Sequence, residues 1–243
     1  MRLDQALVQR HLCDSRQEAQ EVIALGYVLV DGVVTTKQTK QIEDMMAIEV
    51  SQKRKFVSRG GDKLEGALLH IFKGKEQAKE ILRGKRALDV GSSTGGFTDC
   101  LLFYGVSQVV AIDVGTDQLH SRLRTDSRVA LFENTDVRNF TREDSFDIIV
   151  ADLSFIPLER VIDSIFTFGT KGTHYFLLIK PQFEVGKGNT KKGIVKNKEK
   201  VEEVLQKYTD IATTRGLQGV EVSPSIITGG DGNQEYFLFG TLQ

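Results

Sequence analysis

Four charged residues in this sequence have types and positions suited to moving protons and stabilising charge. They are Lys63, Asp152, Lys180 and Glu235. Asp152 and Lys180 each follow an apolar run of strand length. Lys63 lies near the start of a helical pattern, and Glu235 opens a further apolar run. Because the active site of an open parallel sheet lies beyond the carboxyl ends of its strands, these side chains are predicted to form one site.

A glycine-rich turn follows the apolar run at residues 86–90 and predicts a cofactor site. Glycines are needed there because the turn is tight and the ligand lies against the backbone. The spacing is G-x-x-x-G-G, and Ser93 stands where the dinucleotide pattern has its second glycine, which disfavours a nicotinamide-dependent dehydrogenase. The predicted cofactor contacts in this segment are Asp89, Gly91, Ser92, Ser93, Thr94, Gly95, Gly96 and Phe97.

Acidic residues at later strand ends extend the predicted cofactor site. Asp113 ends the second strand, where a carboxylate can accept hydrogen bonds from both hydroxyls of a ribose. Asp136 follows the third strand beside Val137, where its side chain can reach an adenine amino group. Asp152 is predicted to contact the cofactor as well. Glycine turns and strand-end acids are common in α/β proteins, but several acids in register with one turn favour a cofactor.

Positive charge is concentrated in two segments of a chain whose net charge is −1. A nucleic-acid partner requires such local concentration. The segments are residues 53–59 and the lysine- and glycine-rich loop 183–200. This loop can follow a phosphate backbone and become ordered on contact, and a solvated flexible loop is the alternative. The predicted RNA contacts here are Lys53, Arg54, Lys55, Arg59, Lys187, Lys191 and Lys192.

Strands and helices alternate from residue 58 onwards, which predicts an α/β domain with a mostly parallel sheet covered on both faces. The last strand follows a turn without a preceding helix and is therefore predicted to be antiparallel. The predicted strands are 86–90, 108–114, 129–132, 146–152, 174–180, 219–224 and 235–241. The predicted helices are 62–72, 76–82, 97–103, 117–123, 158–166 and 198–214.

The first fifty residues predict a separate small module of two helices and a small sheet. Asp31-Gly32 is a hairpin-turn dipeptide between two strand-like segments. So short a segment gives only a marginal core, which is typical of an accessory module. Its five basic and eight acidic residues give no excess of positive charge. The predicted domains are therefore 1–55 and 56–243.

Three sequence strings carry a resemblance to a known family. They are Ser58-Arg59-Gly60-Gly61-x-Lys63-Leu64, Asp152-Leu153-Ser154-Phe155-Ile156 and Lys180-Pro181-Gln182-Phe183-Glu184. With Glu235, they resemble the Lys-Asp-Lys-Glu tetrad of FtsJ-like ribose 2′-O-methyltransferases. The glycine turn resembles motif I of Rossmann-like methyltransferases. Nearly end to end, the chain is similar to the TlyA proteins, also called hemolysin A, and residues 2–32 resemble the α-L RNA-binding motif of the fourth small-subunit ribosomal protein.

The resemblance implies a fold, a reaction and a substrate. The fold is a Rossmann-like seven-stranded methyltransferase sheet with an N-terminal α+β RNA-binding domain. The cofactor is S-adenosylmethionine, and the reaction is 2′-O-methylation of a cytidine ribose in 23S ribosomal RNA, in some members also 16S. The partner is ribosomal RNA or a ribosomal subunit. In the N-terminal motif the resemblance marks Arg2, Arg16 and Lys37 as RNA contacts, although Lys37-Gln38-Thr39 departs from the usual Lys-Pro-Ser.

The chemistry of a ribose hydroxyl agrees with this tetrad. The hydroxyl is a poor nucleophile at neutral pH, so the protein must orient it and manage its proton. Lys180 can stabilise the developing alkoxide, or accept the proton if burial and the nearby Lys63 lower its pKa. Asp152 and Glu235 oppose that shift and orient the ammonium group. The alternative is two ordinary ion pairs that close the top of the sheet.

Two other functions compete with methyl transfer as interpretations of the sequence. A membrane-active cytolysin is suggested by the family's second name, but the apolar runs are of strand length and Asp4-Gln5 stand where a signal peptide needs apolar residues. A catalytically silent ribosome-assembly factor is disfavoured by the complete tetrad. Cys13 and Cys100 have no metal or redox spacing, so a cytoplasmic protein without a metal is expected. No obligate protein partner is indicated.

Overall fold

The computed structural model describes residues 1–51, 55–141, 145–186 and 188–243, apart from the side chain of Gln17. These residues form two compact units, Met1–Lys55 and Phe56–Gln243, each with its own core. The predicted RNA contacts Lys53, Arg54 and Lys187 lie outside the described residues.

The first unit is a pair of helices packed on a small antiparallel sheet. Its elements are α1 (Leu3–Gln9), α2 (Arg16–Ala24), β1 (Val28–Val30), β2 (Val33–Val34) and β3 (Ile48–Val50). The side chain of Ser15 caps α2 by accepting a hydrogen bond of 3.1 Å from the backbone N–H of Glu18. Leu3, Leu7 and Ile23 are fully buried between the helices and the sheet, whose strand order is β2-β1-β3.

The second unit alternates strands and helices, as predicted. Its helices are α3 (Arg59–Ile71), α4 (Lys75–Leu82), α5 (Gly96–Phe103), α6 (Ser121–Arg124), α7 (Ile162–Phe166), α8 (Pro181–Glu184) and α9 (Lys198–Thr214). Its strands are β4 (Arg86–Val90), β5 (Gln108–Ile112), β6 (Val129–Phe132), β7 (Phe146–Ala151), β8 (Gly169–Ile179), β9 (Thr190–Lys191), β10 (Ile194–Val195), β11 (Leu217–Pro224) and β12 (Tyr236–Leu242).

The larger sheet of this unit has the strand order β11-β12-β8-β7-β4-β5-β6. Strand β12 is antiparallel to both of its neighbours, which confirms the prediction for the last strand. Tyr236 at the start of β12 pairs with Ile179 at the end of β8. The carboxyl ends of the parallel strands and the beginning of β12 therefore meet at one edge, called here the catalytic edge.

Helices cover both faces of this sheet. Neighbouring residues of a strand point to opposite faces, so each strand contributes to two cores. In β4, Ala87 joins the core under α3, α4 and α5, whereas Leu88 joins the core under α7 and α9. Both side chains are fully buried. Strands buried on both faces explain the nearly continuous apolar runs of the sequence.

Two predicted helices differ from the structure. The helix expected at 117–123 is only one turn long, Ser121–Arg124, because His120 directly before it has a non-helical ψ of 139° and Asp117 has a left-handed φ of 55°. The helix expected at 158–166 is divided into a 3-10 turn, Leu158–Arg160, and α7, with Val161 out of helical geometry between them.

Candidate active site

The four tetrad residues lie at the catalytic edge as two ion pairs. The Nζ of Lys63 lies 2.5 Å from Oε2 of Glu235, and the Nζ of Lys180 lies 2.6 Å from Oδ1 of Asp152. Both lysines are 8% exposed and Glu235 is 2% exposed. Buried charges are tolerated only when they are paired, and unpaired ones are strongly destabilising. The sequence analysis predicts that these residues form one site, and the structure shows which lysine faces which carboxylate.

Glycines at a helix crossing bring Lys63 to this edge. A Cβ on Gly96 would lie 2.7 Å from the backbone nitrogen of Gly61 and would collide with the hydroxyl of Ser58. A Cβ on Gly61 would collide with the ring of Phe56. The first turns of α3 and α5 can therefore approach closely only because these residues are glycines. Lys63 follows directly on that first turn of α3, so the crossing fixes its position.

A tight turn before β12 holds Glu235. The backbone N–H of Gly229 donates a 2.8 Å hydrogen bond to the carbonyl of Asn233, and the N–H of Ser225 donates one of 2.8 Å to the carbonyl of Glu235. Arg59, a predicted RNA contact, donates from its guanidinium to the carbonyl of Thr228 at 2.7 Å. Arg59 therefore ties the beginning of α3 to the turn that carries Glu235.

Ser154 and Gln182 belong to the same cluster, although sequence reasoning did not select them. Ser154 Oγ accepts a 3.0 Å hydrogen bond from Lys180 Nζ. The side-chain amide of Gln182 donates to Oε1 of Glu235 at 3.4 Å. The only signal for these two residues was their place inside the three sequence strings.

The segments that follow β7 and β8 are joined by Glu184. Its Oε1 accepts a 2.8 Å hydrogen bond from the backbone N–H of Leu158, and its Oε2 accepts one of 2.5 Å from the hydroxyl of Tyr208 in α9. Burial raises the pKa of Glu184, and these hydrogen bonds oppose that rise. Glu184 thus holds the loop after Asp152 against the segment after Lys180.

A cleft of 570 Å³ runs along the catalytic edge. Small-molecule sites commonly measure about 300–1,000 Å³. The predicted cofactor contacts that line it are Gly91, Ser93, Asp113, Asp136, Val137 and Asp152. A smaller cleft of 120 Å³ beside the glycine turn is lined by Ser92, Thr94, Gly96 and Phe97, together with Gly91, Ser93 and Asp152.

Two predicted contacts do not line either cleft. Gly95 has a φ of 95° at the start of α5, and a Cβ there would collide with Leu123 and lie 2.7 Å from Leu119. Asp89 is fully buried, and its Oδ2 accepts a 2.6 Å hydrogen bond from Thr98 Oγ1. Burial raises the pKa of Asp89 to about 7. Both residues face away from the clefts: Gly95 lies against Leu119 and Leu123, and Asp89 binds Thr98 in α5.

The two strand-end acids already bind groups of the cleft wall. Asp113 accepts 2.7 Å hydrogen bonds from the backbone N–H groups of Ser93 and Gly115. Asp136 pairs with Arg138, whose Nε lies 2.9 Å from Oδ1, and this hydrogen bond lowers the pKa of Asp136 to about 2. An ionised carboxylate has about four acceptor sites, so Asp113 retains capacity for a ligand. Asp136 already accepts four hydrogen bonds from the backbone and guanidinium of Arg138, and these would have to rearrange to admit an adenine amino group. Arg138 lines the cleft and was not predicted.

The walls of the clefts fit a nucleoside with a polar end. Gly91 has a φ of 81°, and a Cβ there would lie 2.7 Å from the carbonyl oxygen of Asp152, so the turn can pass this close to β7 only as glycine. Among the described residues, the buried Oγ of Ser92 and Oδ1 of Asp89 have no hydrogen-bond partner. Such atoms are normally paired in folded proteins. The carboxylates fit ribose and adenine groups, and the small polar cleft fits an amino-acid end.

An exposed aromatic ring stands at the mouth of the larger cleft. Phe155 is 88% exposed, has a left-handed φ of 69° and contacts the ring of Phe183 at a centroid distance of 5.7 Å. A left-handed φ is uncommon outside glycine and costs about 1–3 kcal/mol. Exposed aromatic rings can stack on unpaired bases. Phe155 lies within one of the three sequence strings, but its residue type and position predicted no role for it.

The predicted RNA contacts that lie within the described residues are mostly exposed. Lys37, Lys55, Lys191 and Lys192 are exposed. In the first unit, the buried Asp4 accepts hydrogen bonds from Nε of Arg2 at 3.0 Å and Nε of Arg16 at 2.9 Å. These hydrogen bonds hold both guanidinium groups in place, and they lower the pKa of Asp4.

The described residues contain neither a candidate metal centre nor a membrane-spanning helix. No group of three or more His, Cys, Asp or Glu side chains in those parts of the chain is placed to hold a metal ion. No helix in them is long and apolar enough to cross a membrane.

Comparison with known proteins decides the family. The family described as FtsJ-like methyltransferase matches residues 56–242, and the S4 domain family matches residues 1–48. The chain belongs to the FtsJ-like methyltransferase family. This membership confirms the predicted resemblance and the predicted α/β methyltransferase fold with an N-terminal RNA-binding domain.

Relatives of this family match the chain over nearly its whole length. The 16S/23S rRNA (cytidine-2′-O)-methyltransferase TlyA of Mycobacterium tuberculosis is 40% identical and covers 98% of this chain and 88% of its own. Hemolysin A of Brachyspira hyodysenteriae is 38% identical over 97% of this chain and 98% of its own. Because the two names occur on relatives of one family, the name hemolysin does not favour a membrane-active protein.

Solved structures agree with this assignment. A hemolysin-named structure from Streptococcus thermophilus has a TM-score of 0.75 and 31% identity, covering 100% of this chain and 89% of its own. Magnesium protoporphyrin IX methyltransferase from Synechocystis, solved with bound SAH, has a TM-score of 0.52 and 12% identity, covering 79% of this chain and 89% of its own. The second likeness concerns the fold alone.

Proposed function

We propose that this protein transfers a methyl group from S-adenosylmethionine to the 2′-hydroxyl of a cytidine in ribosomal RNA. The observation that carries the proposal is the pairing of Lys63 with Glu235 and of Lys180 with Asp152 beside a cleft of 570 Å³. The names of the TlyA relatives support cytidine in ribosomal RNA as the substrate. Such a substrate implies that the protein works in the cytoplasm.

The cofactor would lie along the catalytic edge. S-adenosylmethionine supplies an electrophilic methyl group on its sulfonium. Asp113 would accept hydrogen bonds from the ribose hydroxyls and Asp136 one from the adenine amino group. The glycine turn would place its backbone against the ligand, and Ser92 offers a buried hydroxyl to the amino-acid end.

The tetrad would manage the proton of the substrate hydroxyl. Lys180 lies between the carboxylate of Asp152 and the hydroxyl of Ser154, which orient its ammonium group. In this position Lys180 would stabilise the developing alkoxide or take the proton of the substrate hydroxyl. Lys63 adds a second ammonium group at the edge, and its ion pair with Glu235 means that neither buried charge is unpaired.

The RNA would be held by both units. The arginines that Asp4 holds in the first unit are suited to phosphate groups. In the second unit, Lys191 and Lys192 are exposed in the loop between α8 and α9. Binding that depends on such contacts weakens as salt concentration rises.

The proposal is tested by mapping 2′-O-methylation on ribosomal RNA from cells with and without this protein. We expect one or more cytidines to lose the modification in its absence, and purified protein with labelled S-adenosylmethionine to restore it. If no ribose methylation changes while the protein binds RNA normally, the chain is an RNA-binding assembly factor without this activity. Release of dye from liposomes by the purified protein would instead favour the cytolysin.

A further inference from the structure

The loop between α8 and α9 contains a hairpin that the sequence did not predict. Strands β9 and β10 pair Ile194 with Lys191 and Val195 with Thr190. The two linking residues, Lys192 and Gly193, have φ values of 52° and 80°. Positive φ at both positions identifies a type I′ turn, which suits the twist of paired strands. The exposed lysines at residues 191 and 192, called here the tip lysines, thus stand at a defined hairpin tip.

So short a hairpin requires support from elsewhere, because an isolated two-stranded hairpin is at best marginally stable in water. The support comes from Asn233, which is 3% exposed. Its Oδ1 accepts a 3.0 Å hydrogen bond from the backbone N–H of Val195. Its Nδ2 donates one of 2.9 Å to the carbonyl of Gly193. The amide therefore pairs with the hairpin backbone as a further strand would.

Asn233 also belongs to the turn that holds Glu235. Its carbonyl accepts the hydrogen bond from Gly229 described above, and Glu235 follows two residues later with its carboxylate on Lys63. One short segment therefore contacts the hairpin through a side chain and presents a tetrad carboxylate. The hairpin and the tetrad are joined through Asn233.

We infer that Asn233 is a positioning residue that fixes the tip lysines relative to the tetrad, so that an RNA phosphate bound at the tip places the target ribose at the catalytic edge. The inference rests on the proposed function. Holding the hairpin in place favours RNA binding, because a flexible lysine loop would lose conformational entropy on binding, whereas a hairpin that is already ordered loses less. The recognised chemistry is the phosphate backbone of RNA, and the bases need not be read.

The test compares Asn233→Ala with the matched control Asn189→Ala. Asn189 precedes the hairpin, and its Nδ2 donates to the carbonyl of Val185 at 2.6 Å, so the control also removes a side-chain hydrogen bond to the loop backbone. The control leaves the link to Glu235 intact. Limited tryptic cleavage after Lys191 and Lys192, read by mass spectrometry, reports opening of the hairpin. The KM for a ribosomal RNA fragment, kcat and the Kd of S-adenosylmethionine report function.

For Asn233→Ala we expect cleavage at the tip lysines to rise about tenfold and the RNA KM to rise about tenfold, from the loss of two hydrogen bonds. The cofactor Kd should stay within about twofold. The Asn189→Ala variant should resemble the wild type in all measurements. If Asn233→Ala does not fold, Asn233→Ser, whose hydroxyl is too short to reach both hairpin groups, replaces it with the same expectations.

Three results would overturn the inference without affecting the proposed function. The first is wild-type cleavage of the tip in the folded Asn233 variant. The second is a normal RNA KM in that variant, when the double variant Lys191→Ala with Lys192→Ala has a raised RNA KM. The third is a normal RNA KM in the double lysine variant, because the tip then does not bind RNA although methylation remains measurable. Failure of the proposed function is separate, because then the wild-type protein methylates no ribosomal RNA.

Discussion

At the residue scale, Lys180 is held in one place by burial and by its two partners. Lys180→Ala should lower the single-turnover methylation rate by about 10²- to 10⁴-fold, because a group that stabilises the alkoxide or accepts its proton is lost. Lys180→Arg should fail as well, because a guanidinium does not give up a proton and its planar fork does not fit a point-charge site. The measurement is a single-turnover assay on ribosomal RNA, with cofactor binding followed by calorimetry.

The arginine variant separates the two roles of Lys180. If Lys180→Arg keeps most of the activity, the residue acts only as a fixed positive charge, and the proton leaves by another route. If Lys180→Ala keeps a near-normal rate with intact cofactor binding, the tetrad is only a pair of structural ion pairs. Neither result would change the fold or the family.

The buried carboxyl of Asp89 predicts a pH dependence of stability. Burial raises its folded pKa to about 7, well above the value of an exposed aspartate, so the folded state binds the proton more tightly than the unfolded state. The stabilising contribution is fully present below about pH 4, the unfolded pKa, and is lost as pH rises through 7. Between pH 6 and 8 the free energy of unfolding should fall by on the order of 1 kcal/mol from this group.

Asp89→Asn tests this origin. The amide does not ionise, so the stability of the variant should not depend on this titration. The free energy of unfolding of both proteins is measured by denaturant titration at pH 6 and at pH 8. Relative to the wild type, the variant should be more stable at pH 8 than at pH 6. An equal pH dependence in both would show that another group titrates. Thr98, whose hydroxyl donates to Asp89, remains able to donate to the carbonyl oxygen of the asparagine.

At the scale of elements, the crossing of α3 and α5 places Lys63, and glycine at residue 96 is what allows it. Gly96→Ala should lower thermal stability, by about 1–3 kcal/mol for an overpacked contact, and should also lower the methylation rate. Gly60→Ala is the matched control, because its Cβ would meet its nearest neighbours at an ordinary 3.5 Å. If both variants are equally active and stable, the crossing does not determine the position of Lys63.

Several elements could be predicted from the sequence to the residue. Strands β4 and β6 and helix α9 have the predicted bounds, because apolar patterns and end signals, such as the Asn197 cap of α9, coincide there. The hairpin β9–β10 could not be predicted, since its two-residue strands depend on Asn233, which lies far along the chain. The same limit applied to the site. The strand-end carboxylates could be recognised in the sequence, but the pairing of Lys63 with Glu235 could not, because the two residues are 172 positions apart.

At the scale of the whole molecule, the chain consists of two units with separate cores, and the cleft of 570 Å³ in which we propose that the cofactor binds is lined by residues of the second unit. A truncated chain beginning at Phe56, whose ring packs against Gly61, should therefore bind S-adenosylmethionine with nearly the full-length Kd. It should methylate ribosomal RNA poorly, because the S4 domain is missing. Calorimetry and a methylation assay check the two halves of this expectation. Loss of cofactor binding by a folded truncation would contradict it.

The position of β12 also determines how the larger sheet is assembled. This strand follows β11 in the chain but lies between β8 and β11, so β11 reaches its place only together with β12. Until residues 236–242 have been synthesised, β8 remains an open sheet edge whose unpaired backbone groups can join strands of other chains. Pairing over such a sequence distance is also slow to form. Aggregation during folding should therefore begin at β8, and substitutions that delay the insertion of β12 should reduce the yield of soluble protein before they change the stability of the finished fold.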